Sequence, residues 1–408
     1  MERFAQEGLD FPDYPQLIMT KKSRDITLPA AHDNSYQPYL RPVFSQQGAC
    51  CGQSASVAYN FCYEINRLRN LPSDTSANQY TDHFVWNFMN ATTPYYGSGV
   101  SYLHTFDILF DAGTPTEDVY GPITMNDDYY WMSGYEGYFQ AMHNRISGAN
   151  SIHAGTPEGL LVLKHWLHNH LDGSAVGGVA NYYAGMPYDP PLLPSGTPEA
   201  GKHVQIGFQE NASHALTIVG YNDSIRYDLN GDGLYTNNID ITGDGITDMK
   251  DWEIGGLKYV NSYGETWADS GFCYMLYSTL ALKYGEGGIW NNSVHVLYPD
   301  TAYQPLLTIK ARLKHTKRGR IRLTAGISSD TARFYPEHTL PFSIFNYQGG
   351  DFYPGGHKLE SDKTIEFGLD ITPLLNFIKP GSPSRIFLIV DEKDPDNSAD
   401  GMLLNYSV

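Results

Sequence analysis

At 408 residues, 41% of them hydrophobic and 18% charged, the chain is a folded globular protein, and it is too long for one ordinary core. With 27 Lys/Arg against 45 Asp/Glu the net charge is −18, and no basic stripe is present, which excludes nucleic acid and anionic membrane surfaces as partners. No stretch approaches the roughly 20 apolar residues that span a bilayer, and the first residues lack the apolar core of a signal peptide, so the numbering is expected to begin after a removed signal.

Residues 1–27 are mixed and polar and read as an N-terminal extension. A helix is predicted in "SASVAYNFCYEINRLRN", with Val57, Phe61, Ile65 and Leu68 on one face. Two more are predicted in "GVSYLHTFDILFDAG" and "TPEGLLVLKHWLHNHLDG", each stopped by a glycine suited to a left-handed C-terminal position. After about residue 174 the text turns to short β-branched and aromatic runs: "AVGGVANYYAG", "HALTIVGYND", "GLKYVNSYG" and "GFCYMLYS". Helices first and strands later predict an α+β domain of two lobes over residues 28–298. From 299 to 408 the runs "LLTIKARLKH", "GRIRLTAGI", "FSIFNY", "TIEFGLDI" and "SRIFLIVDE" predict an all-β sandwich domain with an accessory or docking role. The aromatics of "FSIFNYQGGDFYPGG" are its candidates for a glycan or protein contact.

Four cysteines, at 50, 51, 62 and 273, have neither metal-ligand spacing nor a disulfide-dense pattern. "QQGACCGQS" sets two of them at the start of the first predicted helix, where the partial positive charge of a helix N-terminus favours a thiolate. Cys62 and Cys273 fall in a helix and a strand and read as core. "SHALTIVGY" places His214 at the head of a strand, and "YVNSYGETWADSGF" places Asn261 in a loop closing another. A thiol, a base and an amide that fixes the tautomer of the base are the requirements of Cys-His-Asn catalysis.

These three stretches resemble the motifs of papain-like (C1-type) cysteine peptidases: Q-G-x-C-G-x-C-W, then H-A followed by an apolar run and G-Y, then N-S-W-G-x-x-W-G-x-x-G-Y. Asn261, Ser262, Gly264, Trp267, Gly271 and Phe272 keep the spacing of the third, and the likeness covers the predicted two-lobed domain, 28–298. The resemblance implies a helical lobe plus a β-barrel-like lobe, peptide-bond hydrolysis, and roles for Cys51 as nucleophile, His214 as base, Asn261 as orienter and Gln46 as oxyanion donor. The family places its glutamine six residues before the nucleophile. Counted from Gln46, Cys51 lies five residues on and Cys50 four, so one deletion restores Cys51 and two are needed for Cys50, its alternative; Gln47 is the fallback donor. Three positions depart from the pattern: Gly52 replaces an aromatic, Ala268 a glycine, and Tyr263 the tryptophan that shields the His-Asn hydrogen bond, which implies weaker shielding. A catalytically inactive binding protein on this scaffold, or a calcium-dependent assembly module, is the alternative reading.

Between His214 and Asn261 lies an insertion, about residues 222–254, that repeats with a period of twelve. Asp228, Asn230, Asp232 and Gly233 recur as Asp240, Thr242, Asp244 and Gly245. Such loops present oxygen at positions one, three and five and a backbone carbonyl at seven, here Leu234 and Ile246, so structural Ca²⁺ is the expected ion. Asp248 and Asp251 fill positions nine and twelve of the second copy, and the first copy is expected to borrow Asp240. Each loop resembles the calcium repeats of dockerins and thrombospondin-type modules. "HWLHNH", with His165, His168 and His170, reads as a solvated helix face in preference to a zinc site. The calcium loops and the family resemblance together imply a secreted, periplasmic or cell-surface setting and a peptide or protein substrate, with no membrane insertion.

Overall fold

The structure is a computed structural model that describes residues 14–91, 99–123, 129–356 and 359–408; the start of the expected N-terminal extension, 1–13, lies outside these. The chain is mixed α and β and divides into two compact units. One holds residues up to 46, 54–75 and 148–298; the other holds 47–53, 76–147 and 299–408. This differs from the boundary expected at residue 298, because the C-terminal strands share their unit with the helices of residues 76–147.

In the first unit the antiparallel strands Ala180–Pro187, Phe208–Arg226, Ile254–Val260 and Phe272–Leu276 are consecutive neighbours in the sheet. Ser293–Asp300 pairs with the free side of Ala180–Pro187, and Ala31–Asp33 pairs with Phe208–Arg226. The helix Pro157–Asn169 buries Leu160, Leu163, Trp166 and Leu167 in the core that this sheet forms with Ile218, Leu257 and Met275. Its left-handed C-terminal position is taken by His170 (φ 52°), not by the expected glycine. The expected solvated histidine face is also corrected. His165 is buried, and His170 lies between Glu64 Oε2 (2.9 Å) and Val176 O (2.9 Å), because this side of the helix faces the protein interior.

The first predicted helix starts three residues earlier than expected and changes its winding: an α turn Cys51–Gln53, a π segment Ser54–Phe61 and an α segment Cys62–Arg69 follow one another. Every residue of the π segment is buried, so its polar atoms need partners. Asn181 Nδ2 and Thr217 Oγ1 both donate to the Ala55 carbonyl (2.9 and 3.0 Å), and Asn60 Nδ2 donates to Asn181 Oδ1 (2.6 Å). Side-chain donors entering the helical ladder are a recognised cause of local rewinding. The change of period also explains why Leu68 is exposed although the 3.6-residue pattern set it with Val57, Phe61 and Ile65.

In the second unit the C-terminal region forms two three-stranded antiparallel sheets. One is Thr364–Asp370, Thr308–His315, Gly401–Ser407 and the other is His338–Asn346, Ile321–Ser328, Arg385–Glu392, with the middle strand of each at the centre. Alternate residues Ile309, Ala311, Leu313 and Ile321, Leu323, Ala325, Ile327 are buried, as period-2 patterning requires. Aromatics from residues 76–147 complete this core: Trp131 packs on Phe88 and Phe345 (5.1 and 5.3 Å between ring centres), and Phe345 on Phe367 (4.7 Å). Arg145 pairs with Asp370 at 2.8 Å. Of the aromatics singled out for a contact role, Phe342 and Phe345 are core, and Phe352 lies half-buried against Tyr129.

Glu64 ties three elements of the first unit. It accepts from the Val179 amide (3.1 Å), pairs with Arg67 (3.2 Å), and meets His170 while 1% exposed. Removing one partner of a buried charge cluster strands the others, so Glu64→Ala should lower unfolding free energy by about 3–5 kcal/mol. Urea denaturation measures this, and a loss under about 1 kcal/mol, the scale of an exposed pair, would show that the cluster is not closed in solution.

Candidate active site

Three of the four predicted catalytic residues lie in the first unit, and the structure connects them through one hairpin. Asn261 follows directly on the strand Ile254–Val260, and its backbone N–H donates to Gly271 O (2.9 Å). Its side-chain Oδ1 accepts the Ser262 N–H at 2.8 Å. A backbone N–H only donates, so this bond fixes which end of the amide is oxygen. The same Oδ1 lies 2.7 Å from His214 Nε2, and that nitrogen must therefore carry the proton. In the neutral ring the lone pair is then on Nδ1, the nitrogen left to act as base.

His214 sits in the strand Phe208–Arg226, opposite Ala184 of Ala180–Pro187. It is 2% exposed, and burial holds its imidazolium down to about 4, only partly opposed by the Asn261 bond. The Tyr263 ring stacks on the imidazole (4.7 Å between centres, 30° between planes), and Trp267 meets Tyr263 edge-on at 6.2 Å. The Tyr263 hydroxyl lies 3.2 Å from Met186 Sδ and 3.5 Å from His214 Nδ1. Shielding is thus retained, contrary to the expectation from replacing tryptophan: Asn261 is wholly buried, and Trp267 backs the smaller ring.

Gln46 is held by the residue that orients Asn261. Its N–H donates to Ser262 O (2.9 Å), and Ser262 Oγ donates to Gln46 Oε1 (2.6 Å), so the glutamine oxygen is committed and its NH₂ is the end that can serve an anion. Two glycines allow this approach. Gly264 has φ +83°, and a Cβ there would lie 2.3 Å from Ser45 Oγ; Gly271 has φ +89°, and its Cβ would lie 2.4 Å from Val43 Cγ1. Serine at 262 belonged to the sequence motif, but its role as a clamp on Gln46 rests on a contact 216 residues apart in the chain.

Cys51 and Cys50 belong to the second unit, and none of the four cysteines is joined in a disulfide. Cys51 is the first residue of the helix and 6% exposed. Cys50, wholly buried, directs its sulfur at Gln47 O (3.3 Å) and Asp82 Oδ2 (3.6 Å), both acceptors that a thiol S–H serves and a thiolate does not. Cys62 and Cys273 are buried as expected.

The two acidic loops fold alike. Asp228 accepts the amides of Gly231 (2.6 Å) and Gly233 (2.8 Å), and Asp240 those of Gly243 (2.7 Å) and Gly245 (2.8 Å). All four glycines have φ between 74° and 83°. Asp232 Oδ1 accepts from Leu234 N and Asp244 Oδ1 from Ile246 N. Asp251, buried, accepts from Ile241, Thr242 and Asp248 amides (2.9 Å each). The first copy is closed by Glu253, which sequence reasoning missed: its carboxylate accepts from Leu229 N (2.7 Å) and Thr236 N (2.9 Å). Asn230 donates to Asp232 (3.1 Å), and the Lys250 ammonium pairs with Asp244 and Asp248. The donors exposed on both loops are oxygen, the type that Ca²⁺ takes.

No family model matches the chain, and no curated protein matches it. Among solved structures it is similar to xylellain, a cysteine protease from Xylella fastidiosa, at 15% identity and TM-score 0.45, covering 71% of this chain and 92% of that one. It is similar to digestive procathepsin L2 proteinase from Tenebrio molitor larval midgut at 16% identity and TM-score 0.43, covering 71% and 76%. It is also similar to the Amb a 11 cysteine protease of ragweed pollen, in its proform, at 15% identity and TM-score 0.41, covering 73% and 72%.

Proposed function

We propose that the chain is a thiol peptidase that hydrolyses internal peptide bonds, with Cys51 as nucleophile, His214 as acid–base, Asn261 as orienter and Gln46 as oxyanion donor. The observation that carries this reading is the hydrogen bond that His214 Nε2–H donates to Asn261 Oδ1, which assigns the histidine one tautomer, with Nδ1 as its basic nitrogen. An amide has no charge to give a core histidine; its use here is to orient the ring.

In this reading the Cys51 sulfur, favoured as an anion by the helix it opens, attacks the substrate carbonyl carbon, and the carbonyl π pair moves to oxygen. The Gln46 NH₂ and a backbone N–H receive that oxyanion. His214, protonated at Nδ1 by the departed thiol proton, gives the proton to the leaving amine as the C–N bond breaks. Water, deprotonated by the same nitrogen, then releases the acid and regenerates the thiol. Peptide or protein is the substrate class, and a secreted or periplasmic setting fits the calcium chemistry below.

Mass-mapped labelling with a peptide epoxide tests this. Fast modification should fall on Cys51, and it should drop at least about 100-fold in a His214→Ala variant, the scale of losing an acid–base group. Modification at Cys50 would transfer the nucleophile by one residue. If neither thiol reacts faster than free cysteine, the peptidase reading fails and a binding protein takes its place.

Burial also gives the first unit an acid limit. His214 and His295 are both held down to about 4 by desolvation, whereas an unfolded histidine titrates near 6.5. Between these values the unfolded chain takes the proton first, so stability is complete above about pH 6.5 and is lost as pH falls toward 4, by about 1.4 kcal/mol per pH unit for each histidine. Thermal denaturation from pH 4 to 7 should show this slope, and a flat transition temperature would mean the rings are protonated in the native state.

We further infer that Ca²⁺ is held by Asp228, Asn230, Asp232 and the Leu234 carbonyl in the first loop, and by Asp240, Thr242, Asp244, Asp248 and the Ile246 carbonyl in the second, with Asp251 and Glu253 keeping the loops closed. Bound Ca²⁺ supplies charge neutralisation beyond the Lys250 ammonium that Asp244 and Asp248 share. At a concentration 100 times its Kd, one ion should add about 2.7 kcal/mol of stability, read as a rise in melting temperature that chelator reverses and Asp228→Asn weakens. No calcium-dependent shift would leave the loops as hydrogen-bonded turns.

A further inference from the structure

Outside the candidate catalytic residues, the described part of the chain gathers one group of three side chains with metal-ligand chemistry: Cys50, Asp82 and His83, one donor atom from each lying within 4.8 Å of the others. All three belong to the second unit and are 0%, 4% and 1% exposed. Cys50 immediately precedes the first helix, and Asp82 and His83 form the first turn of the helix Asp82–Met89, whose N-cap Thr81 accepts the His83 amide at 3.2 Å. We propose that these residues form a buried zinc site, with the Gln47 carbonyl as a fourth donor.

Distances and charge support this independently. Bonds of about 2.3 Å to sulfur and 2.0 Å to oxygen at tetrahedral angles separate those two ligand atoms by about 3.5 Å. Cys50 Sγ lies 3.6 Å from Asp82 Oδ2 and 3.3 Å from Gln47 O, so the sulfur is already spaced from each oxygen as two ligands of one ion are. Asp82 Oδ1 and His83 Nδ1, at 2.6 Å, are spaced as a hydrogen bond. Binding through Asp82 Oδ2 replaces that hydrogen bond: the imidazole proton moves from Nδ1, where the carboxylate accepts it, to Nε2, and Nδ1 turns to the ion. Only the thiol proton leaves. A thiolate and a carboxylate then cancel the two positive charges of Zn²⁺, which a fully buried site requires. Sulfur, nitrogen and oxygen donors together suit zinc better than calcium or magnesium. The Trp86 ring packs edge-on against the His83 imidazole at 5.1 Å and helps hold its orientation.

The site does not depend on the peptidase reading, and its test reads the metal directly. The full chain, stripped with chelator, is titrated with Co²⁺ as a spectroscopic stand-in and then with Zn²⁺. One equivalent should produce tetrahedral d–d bands and a thiolate-to-cobalt charge-transfer band in the near ultraviolet, and Zn²⁺ should displace both. The charge-transfer band should survive Cys51→Ala and vanish in Cys50→Ala. His83→Gln should weaken Zn²⁺ by more than the about 10- to 100-fold that changes behind the ligands cost. Binding should release one proton per ion and weaken as pH falls. Absence of a saturable equivalent in the unmodified chain overturns the proposal without reference to any variant. So does a band that persists in Cys50→Ala, or one lost in Cys51→Ala, which would place the metal on the proposed nucleophile instead.

Discussion

One backbone N–H governs the chemistry of the histidine. The Ser262 amide points at the Asn261 side chain, decides that its near atom is oxygen, and thereby decides which nitrogen of His214 is protonated. An Asn side chain without that bond could turn over and present NH₂, which would put the proton on the other nitrogen and leave Nδ1 without a basic lone pair. Ser262 also uses its carbonyl and hydroxyl on Gln46. The positions of Asn261, His214 and Gln46 are therefore set by a single residue and the turn it begins. That turn closes only because positions 264 and 271 lack a Cβ, each opposite a side chain of the segment that leads to Gln46.

The helix opened by the adjacent cysteines is fastened by the same logic of compulsory hydrogen bonding. Its π segment is buried all round, and the Ala55 carbonyl and the Asn60 NH₂ find partners in Asn181 and Thr217 from the sheet. Thr217 lies in the strand that carries His214, three residues on. Buried polar groups are costly to leave without partners, so these bonds favour one register of helix against sheet. Apolar packing alone tolerates sliding; this arrangement does not.

What could be read from sequence follows the range of the interaction. The His214 and Asn261 motifs, the Tyr263 substitution and the twelve-residue repeat are local patterns, and their residues fold as local patterns dictate. Strand runs such as "TIEFGLDI" and "GRIRLTAGI" were legible from alternation. The affiliation of residues 76–147 with the C-terminal sheets was not, because Trp131 meeting Phe345 and Arg145 meeting Asp370 join segments from opposite halves of the chain. The π segment was hidden because its cause lies in Asn181 and Thr217, outside the helix. Glu253 escaped notice for a smaller reason: it stands two residues past the end of the second repeat and closes the first.

The two adjacent cysteines show why a motif count cannot assign roles. They share a helix start, yet Cys50 has its sulfur against a carboxylate and a carbonyl, while Cys51 has one more step of solvent exposure and the first helical position. An electron-rich surrounding disfavours a nucleophilic thiolate and favours a metal-bound one, since the cation neutralises what the carboxylate would repel. The acidic loops carry only harder oxygen groups, at the surface. Adjacent sulfurs can therefore serve different chemistry, with Asp82, 32 residues downstream, making the difference.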